Sequence, residues 1–257
     1  MLKDKIVIVT GGASGIGRGI VECCCDFKAT VIIADIDESK GLKLEKQLLK
    51  KGRKVKYFKV DVRSEESINK MTDGVKGVFK KIDVLVNNAG IAYFEKPLEE
   101  TTTEMWDKTI DTDLKSVFLF IRAVLPIMKK QKSGSIINIA SNNIYSTVPD
   151  LSPYVAAKEG VIGLTRSLGL ELGKYGIRVN AICPGFIKTP MYDIYLDKVK
   201  MPREQADRHF KSLHPIGRMG KPEDIGNFVA FLGSDLSGFM TATYILVDGG
   251  VAAKLFD

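Results

Sequence analysis

The chain has no apolar run that approaches about 18 residues, so no segment is expected to span a membrane. Its start, Met1-Leu-Lys-Asp-Lys, leads straight into a β-branched stretch and has the pattern of neither a signal peptide nor a transit segment. A cytoplasmic location is the resulting expectation. Metal chemistry is not expected either. Of four cysteines, three are contiguous at Cys23, Cys24 and Cys25, and the spacing fits neither a zinc site nor a redox motif. Neighbouring positions on a helix point in different directions, so these thiols are expected to be small packing residues in a reducing compartment. Linkers, internal repeats and low-complexity tracts are missing as well, which points to a single domain over residues 1–257. The formal net charge of +7 comes with no basic block, since the lysines scatter through residues 40–59, 76–81 and 129–132. Solvated helix faces are expected, with no nucleic-acid partner.

What is present is an ordinary globular composition, 45% apolar and 27% charged over 257 residues, which suits one α/β domain with a sizeable core. Residues 5–10, Lys-Ile-Val-Ile-Val-Thr, lack polar alternation, as a strand buried on both faces should. They feed into Gly11-Gly-Ala-Ser14-Gly15-Ile16-Gly17 and then a helical stretch over residues 18–27. In such a loop Gly11 permits the tight turn, Gly15 lets backbone approach a phosphate, and Gly17 allows close helix–strand packing. Free N–H groups and the helix dipole favour an anion there. Asp35 closes the second strand, residues 30–34. A carboxylate at that point accepts from a ribose diol and repels a 2′-phosphate, and neither Ser14 nor Ile36 supplies a cation. The expected cofactor is NAD.

Further along, residues 39–51 form an amphipathic pattern with Leu42 and Leu49 facing in, and residues 55–60 form a third strand before Asp61-Val62. A helix opens at Ser64 with acids in its first turn, and the strand at residues 82–86 ends in Asn87-Asn88-Ala89-Gly90, suited to a backbone-lined adenine and ribose slot. Residues 106–130 read as one long helix, apolar on more than one side, as does the helix that follows Tyr154. A helix that covers a sheet needs one apolar face, so a second burial against another subunit is expected. Residues 177–183 make a sixth strand ending in Pro184-Gly185, and residues 244–247 a last one. Between them, residues 187–214 mix aromatics with many charges, as a mobile substrate flap would.

The stretch that carries chemistry is Tyr154-Val-Ala-Ala-Lys158, with Ser141 thirteen residues upstream at the end of an apolar run. Positions i and i+4 share a helix face, so phenol and ammonium can enter one pocket. A free tyrosine titrates near 10, and a fixed cation beside it favours the phenolate that acid/base chemistry needs.

In this order the motifs resemble the short-chain dehydrogenase/reductase family over nearly the whole chain. The resemblance implies a Rossmann-type, doubly wound parallel sheet of about seven strands. It implies catalytic roles for Ser141, Tyr154 and Lys158. It also implies cofactor contacts at Gly11, Ser14, Gly15, Ile16, Gly17, Asp35, Asp61, Val62, Asn88, Tyr154 and Lys158, and, towards the nicotinamide, at Pro184, Gly185, Ile187 and Thr189. The family suggests a homotetramer. Chains of this kind resemble bacterial or archaeal sugar, polyol and 3-oxoacyl reductases. Polar residues after Ser141 (Asn142, Asn143, Tyr145, Ser146, with Asp150 nearby) favour a polyol or sugar-like alcohol over an acyl chain. Two departures stand out. Residues 27–29, Phe-Lys-Ala, lack the glycine that usually ends the first helix, at some cost in stability. The family's catalytic Asn is Asp113 here, within Asp113-Leu-Lys-Ser116. That Asn helps hold a water that links the lysine to solvent. An ionised Asp113 is expected to favour the Lys158 ammonium and move the rate–pH profile to the alkaline side. A cofactor-binding scaffold without turnover is the other reading of the same change.

Overall fold

In a computed structural model, residues 1–93 and 96–253 are described. The β-branched runs form seven strands: β1 Ile6–Thr10, β2 Thr30–Asp35, β3 Lys54–Lys59, β4 Val84–Asn87, β5 Gly134–Ile139, β6 Ile177–Pro184 and β7 Tyr244–Val247. They pair in parallel in the order β3-β2-β1-β4-β5-β6-β7. Register is continuous through the centre, where Val9 lies between Ile33 and Val86. Parallel strands require crossovers, and helices supply them: α1 Gly15–Asp26, α2 Glu38–Lys50, α3 Glu65–Phe79, α4 Thr103–Ile110, α5 Ser116–Gln131, α6 Ser152–Leu172, α7 Pro190–Val199, α8 Arg203–Leu213 and α9 Pro222–Gly233. One face of the sheet buries α3, α5 and α6 through Met71, Phe120, Met128 and Val161. The other buries α1, α2 and α9 through Ile20, Leu44 and Val229. The chain order reverses between β1 and β4, so the crevice of this doubly wound sheet opens at their carboxyl ends.

Two helices differ from the sequence expectation. Leu42 and Leu49 face solvent, 48% and 52% exposed, while α2 buries Gly41, Leu44, Glu45 and Leu48. The Tyr57 ring of β3 sets this rotation. A Cβ on Gly41 would stand 2.1 Å from the ring, so only a bare backbone lets the helix sit there. The stretch read as one helix over residues 106–130 is α4 and α5 joined by a π turn at Asp111–Lys115, where the Ser116 N–H bonds the Asp111 carbonyl. That extra residue turns Thr112 and Asp113 inward. On α5 and α6, Phe118 and Leu170 remain exposed. Arg122 covers the Phe118 ring from 4.9 Å.

Residues 187–214 hold α7 and α8, packed around Tyr192, Leu196, Ala206 and Phe210. Asp207 ties them to the strand end, accepting from Lys188 Nζ at 2.7 Å and Tyr192 Oη at 2.9 Å. Cys23, Cys24, Cys25 and Cys183 are all buried with free thiols. Burial pushes Cys23 up to about 11 and Cys25 and Cys183 up to about 12, so they stay neutral.

Helix α1 ends in a Schellman pattern, with Lys28 N–H bonded to the Cys25 carbonyl and Ala29 N–H to the Cys24 carbonyl. This places Lys28 at φ +73°, the left-handed region that a glycine occupies without strain. Lys28→Gly is expected to stabilise the fold by about 1 kcal/mol, raising the unfolding midpoint by about 3 °C. Calorimetry that gave an unchanged or lower midpoint would contradict this account of the cap.

Candidate active site

The carboxyl ends of β1, β4, β5 and β6 all deliver polar groups to the crevice. At β1, Gly11 and Gly15 adopt φ +62° and +54°, and a Cβ on Gly17 would stand 2.1 Å from the Gly11 carbonyl oxygen. Ser14 caps α1 with extended backbone but no side-chain hydrogen bond. The first N–H groups of α1 are therefore left to a ligand. Ile16 packs onto the core below. Thr10 fastens this loop to the next strand end, its hydroxyl accepting from Asn88 N–H at 2.9 Å and Ala89 N–H at 3.0 Å. Asn88 Nδ2 donates back to the Thr10 carbonyl at 2.9 Å and the Gly11 carbonyl at 3.3 Å.

Asp35 is buried at the end of β2, its Oδ2 accepting from Ala13 N–H and its Oδ1 from Asp37 N–H, both at 2.9 Å. Each oxygen keeps a lone pair for a further donor. Asp61 follows β3 beside buried Val62. Arg63, a residue that sequence reasoning did not single out, clamps it through Nε at 3.1 Å and Nη2 at 2.8 Å. The guanidinium holds the Asp61 carboxyl below the usual range. At β6, Pro184 and Gly185 lead through buried Ile187 to Thr189, the cap of α7. A Cβ on Gly15 would lie 3.6 Å from Thr189, so the glycine loop and this segment face each other. Glycine loop, open helix terminus and carboxylate together fit the pyrophosphate and ribose of a dinucleotide.

The residues expected to carry acid/base chemistry lie on α6 and just after β5. Tyr154 and Lys158 stand one turn apart on α6, with Lys158 Nζ 5.4 Å from the tyrosine ring centre. Ser141 is buried after β5, and its Oγ accepts from Asn143 N–H at 3.2 Å, which leaves its own proton free to donate. Lys158 Nζ donates to the Ile139 carbonyl at 3.2 Å and lies 3.1 Å from Asp113 Oδ2. The lysine side chain is 5% exposed and the aspartate 0%. Asp113 Oδ1 accepts from Ile91 N–H at 2.8 Å. Burial pushes the Asp113 carboxyl up, against the pull of Lys158. Burial also opposes the Lys158 ammonium, yet Asp113 and then Tyr154 outweigh it and hold Lys158 above its usual value.

Two supports escaped the sequence reading. Ile91 contributes only backbone, which no side-chain pattern announces. Beneath the site, Asn87 Nδ2 donates to Asn138 Oδ1 at 2.8 Å, and Asn138 Nδ2 to Thr165 Oγ1 at 2.9 Å. The signal for that ladder was a lone Asn inside the apolar run of β5. Among the described residues no group of three or more His, Cys, Asp or Glu could hold a metal ion, and no helix is long and apolar enough to cross a membrane.

A doubly wound sheet with a glycine loop and a Ser–Tyr–Lys set at its switch point defines an oxidoreductase of the dehydrogenase/reductase kind. A family model described as enoyl-(acyl carrier protein) reductase matches residues 11–252. The chain is 39% identical to a 3-oxoacyl-(acyl-carrier-protein) reductase of Thermotoga maritima, over 97% of this chain and 98% of that protein. It is 35% identical to a 2,5-dichloro-2,5-cyclohexadiene-1,4-diol dehydrogenase of Sphingobium indicum, over 98% of each chain. The crystal structure of a levodione reductase superposes with a TM-score of 0.93 at 34% identity, covering 98% of this chain and 99% of that one. The chain belongs to the short-chain dehydrogenase/reductase family.

Gly17→Ala tests the cradle, since the added methyl meets backbone that cannot swing aside. The variant is expected to lose about 1–3 kcal/mol of stability and its dinucleotide binding in calorimetric titration. Undiminished binding would show that the loop does not hold the cofactor.

Proposed function

We propose that the protein is an NAD-dependent dehydrogenase/reductase acting on a secondary alcohol, polyol or sugar-like, or on the matching ketone. What supports this reading is Tyr154 one turn from Lys158 on α6, Ser141 just after β5 with its proton free, and a buried carboxylate, Asp35, at the end of β2 where an NADP site would want a cation. Gly11, Ser14, Gly15, Ile16 and Gly17 would hold the pyrophosphate, Asp35 the adenosine ribose, and Asp61, Val62 and Asn88 the adenine side. Pro184, Gly185, Ile187 and Thr189 would line the nicotinamide end. When bound, the nicotinamide exchanges a hydride with the carbinol carbon.

In oxidation the Tyr154 oxygen takes the proton of the substrate hydroxyl, and in reduction it returns that proton. Ser141 donates a hydrogen bond to the same substrate oxygen, where negative charge develops. Lys158 supplies positive charge beside the phenol and orients the cofactor ribose. Asn142, Asn143 and Tyr145 follow Ser141 in a 3₁₀ turn and its cap, and their polar groups suit a hydroxylated substrate. Helices α7 and α8 serve as the substrate flap. Exposed Phe118 and Leu170 suit burial between copies in a homotetramer.

The test is NADH formation with a panel of polyols, sugars and secondary alcohols, and NADH consumption with ketones and a 3-oxoacyl thioester. Higher kcat/KM with NAD than with NADP is expected, because a 2′-phosphate would meet the Asp35 carboxylate. Tyr154→Phe is expected to lower kcat by about 10²- to 10⁴-fold while NAD binding persists. Equal use of both cofactors would overturn the reading of Asp35, and a near-wild-type rate in the variant would overturn the role of Tyr154.

A further inference from the structure

The position of Asp113 is unusual in what it must satisfy. Both of its polar neighbours are donors: Ile91 N–H at 2.8 Å from Oδ1 and the Lys158 ammonium at 3.1 Å from Oδ2. The carboxylate accepts from Ile91 N–H through Oδ1 and meets the ammonium through Oδ2 as an ion pair, without a hydrogen bond. An amide of the same shape has one oxygen, so it would leave one donor facing an NH₂ group. The site is closed to water at both ends of the contact, with Asp113 fully buried in the π turn and Lys158 nearly so. Below, a Cβ on Gly90 would stand 2.7 Å from Asp113 Oδ2 and 3.3 Å from Lys158 Nζ, so the strand end at β4 closes over the pair.

Resting on the acid/base reading of Tyr154 given above, we propose that Asp113 is a positioning residue that acts as a fixed counter-ion to Lys158, so that the tyrosine works beside a net-neutral carboxylate–ammonium pair. The other titratable groups that bear on Lys158 are Tyr154 on α6 and Cys183 on β6, and the cysteine stays neutral to about 12. The Ile139 carbonyl on β5 takes one ammonium proton, while Asp113 Oδ2 faces the ammonium as an ion pair without a hydrogen bond, so the lysine's remaining protons are not committed to these two groups. Two consequences follow from the charges. The carboxylate offsets the positive potential at Tyr154, so proton loss from the phenol, and with it the rising limb of the oxidation rate, lies further to the alkaline side. The carboxylate also keeps Lys158 protonated, so the rate holds up at high pH.

Asp113→Asn removes the charge and keeps the shape. With the alcohol that supports turnover, the rising limb of kcat against pH is expected to move about one unit to the acid side, with activity lost earlier at the alkaline end. A readout without cofactor or substrate comes from denaturant unfolding of Asp113→Asn, Lys158→Met and the double variant. The double variant is expected to be less destabilised than the sum of the two, because neither charge is then left buried alone. If Asp113→Asn alone does not fold, recovery of folding in the double variant supports the pairing and continued failure overturns it. An unmoved pH profile together with additive unfolding would show that Asp113 is neutral or electrically uncoupled, and the proposal would fall. That failure is separable from failure of the acid/base reading, which would appear as turnover surviving Tyr154→Phe.

Discussion

All seven strands run in one direction, and that constraint settles where everything else can be. A parallel sheet buries its central strands under helices on both faces, so these strands are mostly apolar and place most of their polar chemistry near where they stop. Here they stop together. Thr10, Asp35, Asn88 and Ser141 lie at the ends of β1, β2, β4 and β5 or within two residues beyond; the first three are engaged with backbone of a neighbouring segment and Ser141 with the N–H of Asn143 in its own turn. The site is therefore a set of strand ends, with α6 and the π turn before α5 bringing charged and titratable groups in from the side.

Much of this was legible because unbroken β-branched runs and the polar residues that end them are local signals. The seven strands, the glycine loop, the cap at Ser64 and the Tyr154–Lys158 spacing could be read from residue types alone. Contacts made by backbone to side chains far along the chain could not. Nothing in the residues around Ile91 shows that its N–H meets Asp113, and the π turn that aims Asp113 inward has the composition of an ordinary helix. Helix α2 failed for a related reason. Its leucines at 42, 44, 48 and 49 admit two apolar faces, and the choice between them was made by Tyr57 on another element.

The polar interior is economical in its charges. Within the chemical site the buried ions are one ammonium and one carboxylate in contact, and the thiol of Cys183 nearby is uncharged. Isolated, either ion would be strongly disfavoured at that depth. Together they form a neutral unit whose desolvation is offset by mutual attraction and by the donors and acceptors of β5 and the segment after β4. The amide ladder from Asn87 through Asn138 to Thr165 runs beneath in the same spirit, polar yet without net charge.

Tyr57 does more than turn α2. Its hydroxyl donates to the Asp35 carbonyl at 2.9 Å, and its own N–H is taken by Glu45 of α2 at 2.9 Å. The ring is thus a spacer held between the missing side chain of Gly41 and the backbone of the residue proposed to read the ribose. Any side chain added at position 41 pushes on that spacer and, through it, on Asp35. For an engineer who wants a different dinucleotide, the outer helix is a remote adjusting screw. For a lineage drifting in sequence, it ties a peripheral position to the backbone of Asp35.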